Sequence, residues 1–176
     1  MKRIFCLIAI LVATVGVYAA ETERPSQGFS WGADLGGAID MTGNDMSTIN
    51  LDAYFGYRAP LIDILGIGAG INMMVNNSNR SFPVYAIFRS SFRYRPSLCF
   101  LDLRGGLVFN NVGSSTSRSQ LYLSPGVGIN LARGSHFTSY ITVSYVYNGM
   151  RPYEDGERFH DIDGLHMACV RVGISF

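Results

Sequence analysis

The sequence predicts an all-β fold, an eight-stranded antiparallel up-and-down transmembrane β-barrel. Three observations predict it. Apolar residues alternate with small or polar ones through eight successive segments, which is the period of a strand and not of a helix. An apolar leader precedes those segments, and the last of them runs to a terminal phenylalanine, Phe176. Composition agrees. Of 176 residues 15% are charged, against about 25% in an ordinary soluble domain. The length suits one domain, and a net charge of +1 leaves no basic footprint, so no nucleic-acid partner is expected.

The first residues read as a signal peptide, 1–19. Lys2 and Arg3 form a positive start and Ile4 to Val17 run apolar, too short for a spanning helix of about 20 residues. Cleavage after Ala19 places Val17 and Ala19 at the small-residue positions. Removal takes the only lysine, so twelve arginines face thirteen carboxylates and the mature charge is about −1. Cys99 and Cys169 remain; two isolated cysteines make no disulfide framework and read as small apolar side chains. A short polar stretch, 20–28, leads into the barrel, 29–176.

Segment one, Phe29 to Asp40, sets Phe29, Trp31, Leu35 and Ile39 against Ser30, Gly32, Asp34 and Ala38. Thr42-Gly43-Asn44-Asp45 turns by residue chemistry. Segment two, about Ser47 to Ala59, sets Ile49, Leu51, Phe55 and Tyr57 against Asn50, Asp52, Tyr54 and Arg58, and Pro60 breaks it. Segment three, Leu65 to Asn76, sets Leu65, Ile67 and Ile71 against Gly66, Gly68 and Gly70. Segment four, Phe82 to Tyr94, sets Phe82, Val84 and Phe88 against Tyr85 and Arg89, with Ile87 an apolar exception. Segment five, Leu98 to Asn110, sets Leu101, Leu103 and Leu107 against Asp102 and Arg104. A Ser/Gly-rich loop is expected over 112–120. Segment six, Leu121 to Ala132, and segment seven, Phe137 to Asn148, continue the rhythm. A charged loop is expected over 149–163, and segment eight, Gly164 to Phe176, sets Val170, Val172 and Ile174 against Arg171 and Gly173.

Volume decides which face is inside. Eight segments with about five bulky residues each exceed the interior of an eight-stranded barrel, which side chains only just fill. The other face, mostly Gly, Ser, Asn and Thr with a few charges, fits. A membrane strand needs about 9–11 residues at a steep tilt, which each segment supplies, and a closed barrel leaves no unpaired edge in lipid. With both termini periplasmic, Phe29, Trp31, Phe55, Tyr57, Phe92, Tyr94, Phe137 and Phe176 collect at one rim, as in the aromatic girdle of a membrane barrel. The connections there, 60–64, 95–97 and 133–136, are short, and the opposite end carries the longer loops.

A signal peptide, eight amphipathic segments and a C-terminal strand ending in Phe176 resemble the small OmpA/OmpX-type outer-membrane barrel families. The closing run Val170-Arg171-Val172-Gly173-Ile174-Ser175-Phe176 is similar to the signal that the barrel-assembly machinery reads, with Val172, Ile174 and Phe176 as its apolar positions. The resemblance implies a Gram-negative outer membrane, with its lipid and lipopolysaccharide as surroundings. It implies a structural or surface-interaction role and no single activity.

Candidate chemistry is sparse. The inward face carries Asp34, Asp52 and Asp102 with Arg89, Arg104 and Arg171; enclosed charges must pair, so a salt-bridged plug is expected, with a narrow ion channel as the alternative. The loop 149–163 carries five carboxylates and His160, the oxygen ligands a hard cation takes but without an EF-hand spacing; it and the loop 112–120 are the surfaces for a partner. A lipid A-modifying enzyme is the other alternative. His136 and Ser139 are three apart rather than in the H-x-S spacing of the deacylase type, and His160 and His166 have no serine close in sequence. No phosphate loop, zinc spacing or dinucleotide fingerprint is present, and no cofactor or metal is expected.

Overall fold

The computed structural model of the chain describes residues 27–76, 79–92, 98–112, 115–134, 136–155 and 158–176. The expected signal peptide, most of the stretch 20–28, and Tyr94 lie outside the described residues.

Among the described residues ten strands follow one another: β1 (Gly28–Asp40), β2 (Thr48–Arg58), β3 (Ile64–Met74), β4 (Arg80–Ser90), β5 (Cys99–Val112), β6 (Ser115–Arg133), β7 (Thr138–Gly149), β8 (Tyr153–Asp155), β9 (Arg158–His160) and β10 (Gly164–Ser175). Eight close into a barrel in the order β1-β10-β7-β6-β5-β4-β3-β2, every neighbour antiparallel. The seam joins first strand to last, with Gly32 opposite Ser175 and Asp40 opposite Met167.

Two stretches expected as loops contain strand. Pairing of β5 with β6 continues past Phe109↔Ser119 to Val112↔Ser115, with an irregularity between Phe109 and Asn111. Segment six therefore begins at Ser115 rather than Leu121. The stretch holds no proline to interrupt a ladder, and Ser and Thr accept extended backbone. Within 149–163, β8 and β9 form a separate hairpin, Tyr153 opposite His160. Conversely, β4 stops at Ser90, because the backbone turns at Phe92, whose φ is +52°.

The strand pleat sends the apolar set outward. Leu35, Leu51, Ile67, Val84, Val127, Val143 and Val172 are all exposed on the outer wall, an exterior that water disfavours and lipid accepts. Phe29, Trp31, Phe55, Tyr57, Phe92 and Phe137 are exposed too. Phe29 lies opposite Tyr57 and Trp31 opposite Phe55, so these rings share the terminus end of the barrel.

The lumen is layered. At the loop end it is uncharged: Met74, Val108, Val146, Leu165 and Met167 are buried there beside Thr48, Asn72, Ser81, Asn110 and Asn148, joined by Met46, Met150 and Ile162 from the connections. At mid-height it is charged. At the terminus end it opens into a recess bordered by Gln27, Arg58 and Arg133.

Candidate functional site

The charged layer is built by five strands. β1 supplies Asp34, β2 Asp52, β4 Arg89, β5 both Asp102 and Arg104, and β10 Arg171. All six are buried, none more than 4% exposed. Period two sets each on the inner face; the register brings them to one height, with Asp34 opposite Asp52 and Arg89 opposite Asp102.

Arg104 is the hub. Its Nε donates to Asp102 Oδ1 at 2.8 Å, its Nη2 donates to Asp34 on the other side of the lumen, and its Nη1 donates to Tyr85 at 3.2 Å. Arg89 grips the second oxygen of Asp102 through Nε at 2.8 Å and Nη2 at 2.5 Å. Its plane lies against rings, 4.0 Å from the centroid of Tyr140 and 4.8 Å from that of Phe100, a favourable seat for a guanidinium. Three carboxylates meet three guanidiniums, so the layer is neutral. That neutrality offsets the desolvation that a lone buried charge would suffer.

Asp52 and Arg171 are tied in less firmly. Asp52 Oδ1 accepts from Tyr85 at 3.0 Å. Its Oδ2 lies 3.5 Å from Arg171 Nε and 3.8 Å from Arg104 Nη1, and neither Oδ2 nor Arg171 Nε makes a hydrogen bond. Arg171 Nη1 instead donates to Ser144 at 2.6 Å and Ser124 at 3.3 Å, and its Nη2 to Tyr122 at 3.1 Å.

Four inward phenols complete the network, and no role for them was assigned from sequence. Tyr140 donates to Asp34, Tyr54 and Tyr140 share a hydrogen bond of 2.5 Å, Tyr85 accepts from Arg104 and donates to Asp52, and Tyr122 accepts from Arg171. Register, not the alternating pattern, marks them out: each lies opposite a glycine. Tyr54 pairs with Gly32 and Gly68, Tyr85 with Gly68 and Gly106, Tyr122 with Gly106, and Tyr140 with Gly173. A Cβ at Gly68 would sit 2.6 Å from the Tyr85 ring, so glycine is what lets the phenol lie against the wall.

The remaining candidates are dispersed. Val172 and Phe176 are exposed on the outer wall and Ile174 is half-buried. Cys99 and Cys169 are free; Cys169 sits inside, where Asn50 donates to its Sγ at 3.3 Å. His166 faces outward and contacts Tyr145 and Tyr147, while Ser139 donates to the Ala132 carbonyl at 3.4 Å. Among the described residues, no cluster of three or more His, Cys, Asp or Glu side chains is placed to hold a metal.

No protein-family model matches the chain, and no curated protein sequence matches it. Among solved structures it is similar to Neisserial surface protein A, 14% identical, over 84% of this chain and 94% of that one, with a TM-score of 0.57. The N-terminal β-barrel domain of Pseudomonas aeruginosa OprF is 15% identical over 86% of this chain and all of its own, with a TM-score of 0.49. The outer membrane protein Ail of Yersinia pestis is 15% identical over 85% of this chain and all of its own, at 0.42. At such identities the likeness is one of fold, which the first of the three carries: a closed, eight-stranded antiparallel barrel.

Proposed function

We propose that the chain is an integral outer-membrane β-barrel protein of a Gram-negative bacterium, with a structural or surface-interaction role and a lumen closed by paired charges. The observation that carries this reading is an inversion: bulky apolar side chains cover the outside, and buried charges fill the inside. A soluble barrel is arranged the other way. Barrel strands of 11–19 residues are long enough to cross a bilayer at a steep tilt. The aromatic rim at the terminus end then lies at the periplasmic interface, and lipopolysaccharide and lipid surround the outer wall. The closing strand, through Val172, Ile174 and Phe176, is the segment the barrel-assembly machinery engages. The β5–β6 extension over 112–120 and the loop 149–163 with its β8–β9 hairpin, apart from the buried Met150 and Ile162, supply the contact surface for a partner.

An epitope inserted between Gly156 and Glu157 tests placement and orientation together. Antibody labelling of intact cells is the expected result. Labelling only after permeabilisation would reverse the orientation, and recovery of the protein in the soluble fraction would overturn the membrane reading.

A further inference from the structure

On the outer wall, just below the loop 149–163, three side chains are held together by polar and ring contacts. The Tyr145 hydroxyl and His166 Nδ1 share a hydrogen bond, which leaves Nε2 of the exposed imidazole to meet an outside partner. The Tyr147 ring packs on His166 with centroids 5.2 Å apart, and its hydroxyl donates to the Asp163 carbonyl at 3.5 Å. It also covers Gly164, where a Cβ would stand 2.8 Å from the ring. Side chains fixed in advance give up little freedom when they bind, and each of these presents an apolar body with a polar tip.

Lower on the same wall lies a groove of about 440 Å³, a size within the range of small-molecule sites. Ala86 and Gly105 form its floor, and Leu65, Phe88, Leu103 and Leu123 border it. A Cβ on Gly105 would meet nothing nearer than Leu123 at 3.5 Å, so the barrel's own packing does not demand the hollow. Backbone register joins groove and cluster in one row of outward residues. His166 lies opposite Tyr147, Tyr147 opposite Leu123, Leu123 opposite Gly105, and Gly105 opposite Ala86. The row continues through Ile67 and Phe55 to Trp31, in the aromatic rim at the terminus end. It therefore descends the wall from the loop end, and the groove lies on its way down. From Tyr147 to Gly105 is two strand spacings, about 10 Å, within the roughly 15 Å that an acyl chain spans from headgroup to mid-bilayer.

We propose that this row is a seat for one lipopolysaccharide molecule. Its phosphorylated sugar headgroup accepts hydrogen bonds from Tyr147 and His166 Nε2, and one acyl chain lies in the groove over Ala86 and Gly105. The seat rests on the membrane reading above, which places the loop end in the outer leaflet, where lipopolysaccharide is the lipid at that height.

The test is native mass spectrometry of the full barrel in detergent, with purified lipid A as probe and phosphatidylglycerol as comparator. Variants are checked for folding by their mobility on unboiled gels. One lipid A per barrel is expected, bound at least about tenfold more tightly than phosphatidylglycerol. Gly105→Leu, which fills the groove, and His166→Leu, which removes the headgroup donor, are each expected to weaken binding about tenfold. Gly37→Leu is the control. It sits elsewhere on the outer wall, where a Cβ would have only the Thr48 carbonyl oxygen, at 3.9 Å, within 4 Å, and binding is expected to be unchanged. Equal affinity for the two lipids would overturn the proposal, as would an equal loss in the Gly37 variant. A loss confined to either Gly105→Leu or His166→Leu would break the link between groove and headgroup and overturn it as well. A barrel that shifts on boiling yet shows no lipid A preference fails only here, whereas a chain soluble without detergent and unshifted fails the membrane reading itself.

Discussion

Phe176 stacks on Trp31, with ring centroids 4.5 Å apart and planes 18° from parallel. Their backbones exchange hydrogen bonds, Phe176 N to Trp31 O at 2.8 Å and Trp31 N to Phe176 O at 3.3 Å. The last residue therefore fastens the seam where the barrel closes. Phe176→Ala removes a ring pair worth about 0.5–1.5 kcal/mol beyond its area and frees the last rung to fray. A lower yield of folded barrel on refolding into detergent is expected. Phe29→Ala, at a ring that is 91% exposed, is the comparison and is expected to cost less.

Within the lumen, rank follows connectivity. Arg104 contacts three carboxylates, so Arg104→Met strands buried charge and is expected to destabilise the barrel by about 3–5 kcal/mol. Arg171 pairs with Asp52 alone and rests on hydroxyls, so Arg171→Met is expected to cost less. Urea unfolding in micelles gives both values, and the opposite ranking would contradict the hub role. The unaltered barrel is expected to show no stepwise conductance in planar bilayers, since the charge pairs and the close-packed loop-end layer both block it.

The glycines facing the phenols are constrained by close approach. At Gly68 a new methyl would meet the Tyr85 ring at 2.6 and 2.8 Å. Gly68→Ala is therefore expected to cost about 1–3 kcal/mol, as overpacking does. Gly105 faces outward, and its nearest neighbour would be Leu123 at 3.5 Å. Gly105→Ala is expected to fall within about 0.5 kcal/mol of neutral. Equal effects would mean that the rings are not seated on the wall.

The first connection at the loop end is organised by one carboxylate. Asp40 accepts from the backbone N–H of Thr42 at 2.8 Å, Asn44 at 2.7 Å and Met46 at 3.3 Å, and Met46 tucks into the lumen. Asp40→Ala is expected to cost about 1 kcal/mol, less than for a fully buried acceptor. Faster proteolysis between Met41 and Ser47 is the readout.

Much of this architecture was legible in the sequence. Period two tells which wall face Leu35 or Asp34 takes, and the bulk of the apolar face decides that it points out. What period two does not carry is the stagger between strands, so it could not say that Arg104 reaches Asp34 across the lumen rather than Asp102 alone. Nor could it assign the phenols: a tyrosine on the inner face reads as filler until its glycine partners are known, and those come from register. The ladder beyond Phe109 was hidden for a related reason. Ser and Thr serve strands and turns alike, and only pairing with β5 decides between them. Met46, Met150 and Ile162 enter the lumen from connections, where no periodicity points the way.

The central claim is that this is a membrane barrel with its apolar face outward, and electrophoretic mobility of the purified protein in SDS tests it most directly. Unboiled samples in detergent are expected to run as a compact, faster band that shifts to the slower unfolded position after boiling. A protein that stays soluble without detergent and runs identically with and without boiling would contradict it.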